Sequence, residues 1–105
     1  MKYEFHREAL EEFRQAARWY AERDTPVANK FIESVEDAIR RITEGPTRWR
    51  IVDEDIRRCL THVFPYAILF TIEPEYLLIV AVMHCSREPG NWRSRVENKA
   101  GTELE

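Results

Sequence analysis

From Tyr76 to Met83 the chain reads Tyr-Leu-Leu-Ile-Val-Ala-Val-Met, eight residues with no charged interruption. The run is too short to cross a membrane and has the length of one strand. A strand with one face in water alternates apolar and polar residues. This one does not, so both of its faces must be covered. Helices can supply one cover. The other has to come from the chain's own tail, a second copy or a partner chain.

The upstream sequence supplies the helices. Tyr3 and Phe5 alternate with Lys2 and Glu4, as in a short strand over residues 2–5. From about Arg7 to Arg23, Leu10, Phe13, Ala17 and Tyr20 form one apolar stripe, and Glu11, Glu12, Arg14, Gln15, Arg18 and Glu22 read as its solvated face. His6 sits where Ser, Thr or Asp would cap that helix better. Thr25 before Pro26 reads as an N-cap and first helical residue. Phe31, Val35, Ala38, Ile39 and Ile42 then carry a second stripe until Gly45-Pro46 stops it. So short a break between the stripes makes the helices an antiparallel hairpin.

Thr47 to Asp55 reads as a loop. From Ile56 the period becomes two, and strands are expected at Ile56–His62, Tyr66–Ile72 and Tyr76–Cys85. They turn near Val63–Pro65 and Glu73-Pro74-Glu75, and connections this short force antiparallel neighbours. The expected fold is α+β: a strand, an α-helical hairpin and a three-stranded antiparallel meander (βααβββ), with the helices packed on one face of the sheet. One domain is expected over residues 1–95 and a flexible tail over 96–105.

Charge argues against a nucleic-acid clamp. The chain has 16 Lys and Arg against 19 Asp and Glu, a net charge of −3. Residues 1–55 hold 10 basic and 13 acidic side chains, and residues 56–105 hold six of each. A protein that grips a phosphate backbone alone carries a stronger basic footprint. The N-terminus has no secretory core, so a cytoplasmic location and reduced thiols are expected. Cys59 and Cys85 fall on strands separated by another, which disfavours a disulfide. His6, His62 and His84 lack metal-ligand spacing, and no metal or cofactor is expected.

The candidate functional residues gather late in the chain: Arg57 and Arg58, then His84, Arg87, Trp92, Arg93 and Arg95. Adjacent strand residues point to opposite faces, so at most one of Arg57 and Arg58 joins any one site. Trp92 flanked by arginines has the composition of a protein interface, and its bland alternative is packing back on the sheet.

With Trp19-Tyr20 closing the first helix, Phe31 opening the second, Arg57-Arg58, Phe64-Pro65-Tyr66, the run Ala81-Val82-Met83-His84 to Arg87, and Trp92 to Arg95, the chain resembles the RelE/ParE superfamily of toxins from type II toxin–antitoxin modules, over about residues 3 to 95. The Trp-containing ending resembles the ParE-type branch. The resemblance implies a growth-inhibiting toxin of the kind linked to plasmid stabilisation. A cognate antitoxin, whose disordered segment folds over the toxin's grooves, would neutralise it, and promoter DNA would be bound only through that antitoxin. RelE-like members cleave mRNA in the ribosome, whereas ParE-like members inhibit DNA gyrase.

RNA cleavage needs a proton shuttle besides cationic stabilisation. Arginine stays protonated, so Arg57, Arg58 and Arg87 supply charge only. Where RelE-like enzymes place an acid–base residue beyond the last strand, this chain has Trp92. Where ribosome-cutting relatives carry lysines, it has Asp53-Glu54-Asp55. His84 remains as an acid–base candidate, weighed against a structural role. The expectation is therefore a ParE-like toxin acting by protein recognition, with a cognate antitoxin and DNA gyrase as partners, no membrane, and a homodimer left open. The alternative is a RelE-like mRNA endoribonuclease, and the second alternative an inactive remnant of the fold.

Overall fold

The computed structural model describes residues 1–86, 95 and 96. The elements in order are β1 (Lys2–Phe5), α1 (Arg7–Ala21), α2 (Thr25–Glu44), a 3₁₀ turn (Pro46–Arg48), β2 (Ile51–Asp53), β3 (Ile56–Leu60), β4 (Tyr66–Ile72) and β5 (Tyr76–His84). The α+β class, the helical hairpin and the β3–β4–β5 meander agree with the sequence reading. Two features extend it. Ile51–Asp53, inside the expected loop, forms an edge strand, and the sheet has five strands in the order β1-β5-β4-β3-β2. β1 joins parallel to β5, from Lys2 opposite Tyr76 to Phe5 opposite Ile79. The last strand is therefore interior, with β1 on one side and β4 on the other, as its uninterrupted apolar run requires.

α2 buries the residues its stripe predicts: Phe31, Val35, Ala38, Ile39 and Ile42 all lie in the main core with Cys59, Ile68, Phe70, Leu77, Ile79 and Val82. Burying each large apolar side chain contributes roughly 1.5–3 kcal/mol. On α1 the innermost residue is Ala9, and Phe13, Ala16, Ala17 and Tyr20 pack half-buried against the core. The α1 cap is the expected residue, made effective by its ring nitrogen, and the α2 cap differs from the expected one. His6 caps α1, its Nδ1 accepting from Glu8 N–H at 3.1 Å. Asp24, one residue before Thr25, caps α2 by accepting from Val27 N–H at 3.2 Å. No helix among the described residues is long and apolar enough to cross a membrane.

The opposite sheet face carries its own cluster of Ile56, Leu69, Leu78, Val80 and Ala81. Val96 packs against it, so the chain's own C-terminal residues contribute to the cover that β5 demands. A β-bulge decides which β5 residues face where. Phe70 pairs with Ile79 but Leu69 pairs with Ala81, leaving Val80 as the extra residue. Before the bulge the odd-numbered Leu77 and Ile79 face the helices; after it, the even-numbered Val82 does, and Tyr66 pairs with His84 on that same side.

Candidate interaction cleft between α1 and the end of the sheet

α1 crosses the sheet above the start of β4 and the end of β5, and a cleft of about 460 Å³ opens between them. Glu12, Gln15, Ala16, Trp19 and Tyr20 border it from α1, with Tyr66 from β4 and Val82, His84 and Ser86 from β5 and its exit. The helical contributors recur at one-turn spacing, which puts them on one side of α1. His84 reaches the cleft only because of the bulge at Val80.

An aromatic chain forms the wall. Trp19 meets Tyr20 edge-on at 5.1 Å, Tyr20 lies 5.1 Å from Phe31, Phe31 lies 4.9 Å from Tyr66, and Tyr66 meets His84 at 5.2 Å. Phe64 locks this chain from behind, 5.3 Å from Tyr20 and 5.4 Å from Phe31. The Phe64-Pro65-Tyr66 motif is thus a structural wedge. Both rings flank Phe31, and the Pro65 carbonyl accepts from Cys85 N–H at 2.8 Å, fixing the exit from β5. Trp19 stays half in solvent at 51% exposure. The Arg23 guanidinium caps its other face, 3.7 Å from the ring centroid.

His84 is held by the turn that follows it. Ser86 donates its backbone N–H to Nδ1 at 3.1 Å, and Ser86 Oγ lies 2.8 Å from the same nitrogen. A neutral ring with Nδ1 as acceptor carries its proton on Nε2. The pair has the reach of a base and a hydroxyl, yet Nδ1 already accepts the backbone N–H. Among the described lining residues there is no guanidinium to stabilise a phosphorane.

The sequence-predicted site residues that are described, Arg57, Arg58, His84 and Arg95, do not all line the cleft. Arg57 faces the helices and donates Nη1 to the carbonyls of Trp49 at 2.7 Å and Thr47 at 3.0 Å, pinning the segment that leads into β2. Arg58 is exposed on the opposite face, paired in register with Leu69. The expected alternation holds, with Arg58 on the side away from the helices. Arg95, expected among the exposed gripping residues, is 7% exposed. Its Nη1 and Nη2 form a two-pronged pair with Glu12 at 2.8 and 3.0 Å. A carboxylate 83 positions earlier takes this cation inward. Glu12, assigned to the solvated face, belongs to that buried pair. Arg87, Trp92 and Arg93 lie outside the described residues.

A family model described as the ParE toxin of the type II toxin–antitoxin system parDE matches residues 3–89. The chain belongs to that family. A solved structure titled "Chromosomal ParDE TA system from P. aeruginosa" superposes with a TM-score of 0.70 at 12% identity, covering 80% of this chain and 95% of that one. At that identity the likeness concerns the fold. No curated protein sequence matches. The ParE family span contains the whole cleft and ends before Arg95. Trp19, Tyr20 and Tyr66, which carried the resemblance as sequence motifs, are its aromatic wall. Ser86 was not singled out by any pattern, because only the turn geometry brings it to His84.

Proposed function

We propose that this ParE-family toxin acts by gripping a protein target, that DNA gyrase is that target, and that a cognate antitoxin silences it by seating on the cleft between α1 and β5. The observation that carries the reading is the character of the cleft. It is a half-open aromatic wall with one imidazole and the Glu12 carboxylate, the composition of a protein-binding pocket anchored by Trp and Tyr. Of the cations expected to serve phosphate chemistry, Arg57 goes to a backbone staple and Arg58 to the opposite face, while Arg87 lies outside the described residues. In this reading the protein works in the cytoplasm and meets promoter DNA only through the antitoxin.

The test is expression of the chain alone and together with the product of its neighbouring small reading frame. Growth arrest relieved by co-expression supports antitoxin neutralisation. Purified toxin that blocks gyrase supercoiling, with DNA damage in induced cells and intact mRNA by primer extension, supports the target. Codon-positioned mRNA cuts would replace the gyrase reading with endoribonuclease activity centred on His84. Harmless expression at high yield would point to an inactive member of the family.

A further inference from the structure

β1 pairs with β5 only as far as Phe5 opposite Ile79, and His6 N–H closes that ladder on the Ile79 carbonyl at 2.9 Å. β5 continues from there to His84. On the same edge, just beyond Ile79, come the Val80 carbonyl and the Val82 N–H. These are the acceptor and donor that one residue of a parallel neighbouring strand would engage with its own N–H and C=O. Two side chains fill those places. Arg95 Nη1 donates to the Val80 carbonyl at 3.1 Å, and Glu12 Oε1 accepts from Val82 N–H at 3.1 Å. The same two atoms lie 2.8 Å from each other. The ion pair thus stands in for one strand residue.

We propose that the β5 edge beyond Ile79 is a strand-docking site, latched in the free toxin by Arg95 and taken in the complex by an extended segment of the antitoxin that carries an arginine or lysine. The inference rests on the reading of an antitoxin as partner. The chemistry of the occupant follows from what it displaces. Glu12 is 14% exposed, and Glu8 Oε2 lies 3.5 Å from Arg95 Nε, so two carboxylates one turn apart on α1 face the position. A segment that expels Arg95 must bring a cation, because a buried carboxylate left unpaired is strongly destabilising. Main-chain pairing would supply affinity and the alternate side chains specificity, as in strand addition elsewhere. Continued past Val82, the segment runs beside His84 and Ser86 and sends an apolar side chain over Trp19. The latch itself is imperfect: among the described residues, the buried Arg95 Nε has no hydrogen-bond partner, with Glu8 Oε2 only as an ion-pair neighbour.

The two halves of the ion pair then have opposite effects on one affinity. Full-length toxin variants are titrated calorimetrically with the antitoxin from the neighbouring reading frame. Arg95→Ala removes the competitor and is expected to tighten binding on the order of tenfold. Glu12→Gln removes the anchor for the incoming cation and is expected to weaken it by a similar factor, while Arg95→Lys stays near the parent. Effects of the same sign, or no effect, overturn the latch. Concentration-dependent dimerisation of Arg95→Ala without tighter antitoxin binding also overturns it, and makes a second copy the occupant. If Arg95→Ala does not fold alone, hydrogen exchange on the unaltered complex decides: slowed exchange at His84 and Ser86 supports strand addition, and unchanged exchange rejects it. An antitoxin that binds no variant, the parent included, defeats the functional reading and the latch with it.

Discussion

The Arg23 guanidinium lies 3.7 Å over the ring of Trp19, and its Nη1 donates to the Trp19 carbonyl at 2.7 Å. The contact holds a large aromatic ring upright at the mouth of the cleft although half of it meets water. Trp19→Ala removes little buried area, so a melting temperature within a few degrees of the parent is expected. As a truncated interface anchor it should weaken antitoxin binding by about 2 kcal/mol or more. A large fall in thermal stability with unchanged affinity would make Trp19 a core residue.

Val63 has φ of 72°, a conformation that β-branched residues rarely adopt, and it is 97% exposed. Its neighbours force it there. Phe64 N–H bonds the His62 carbonyl at 2.8 Å across a strained γ-turn, Ser34 Oγ donates to that carbonyl at 2.7 Å, and the Phe64 ring is wedged among Tyr20 and Phe31. Val63→Gly should stabilise the fold by about 1 kcal/mol, after the added unfolded-state entropy is counted. That corresponds to a rise in melting temperature of about 4 °C, measurable by calorimetry. A fall would mean that the side chain contributes to folding.

His6 is 5% exposed and caps α1 through an unprotonated Nδ1. Burial holds its pKa below the usual 6.5, with nearby Glu8 opposing and Arg95 reinforcing the shift. A histidine depressed in the folded state binds its proton more readily when unfolded, so stability rises with pH across that window. The contribution is fully present above pH 6.5 and is lost as the pH falls from 6.5 through the lower folded-state value. His6→Asn keeps a capping acceptor without titrating. Denaturant midpoints taken between pH 5 and 7.5 should flatten in that variant, and an unchanged slope would assign the dependence to other groups.

Arg57 and Arg58 are adjacent and should differ sharply. Arg57→Met cuts two charge-assisted bonds to the Thr47 and Trp49 carbonyls and is expected to cost about 2 kcal/mol. Arg58→Ala, on an exposed position, should stay within about 0.5 kcal/mol of the parent. Urea denaturation of the two variants checks the contrast, and equal losses would refute the assignment of faces.

Much of this was readable before any coordinates. The α2 stripe was legible to the residue because five apolar positions at helical spacing face one core. β2 was not, since three residues between Arg50 and the acids of the following turn show no alternation. The bulge at Val80 was hidden for a different reason. Every residue around it is apolar, so a shift of parity leaves no mark in the sequence, yet it decides that His84 looks into the cleft. The burial of Arg95 is not legible locally, because its partner Glu12 lies on the first helix. His6 was undervalued as a cap because imidazole rarely takes that role.

β5, the last strand among the described residues, sits inside the sheet, and the first strand can be held only after it has formed. The sheet therefore has no route to sequential growth from the N-terminus, and its closure depends on contacts between distant parts of the chain. Until β5 has formed, the chain lacks both the floor of the cleft and the far wall that carries His84. The antitoxin proposed as its partner would therefore meet the cleft only as a newly closed surface.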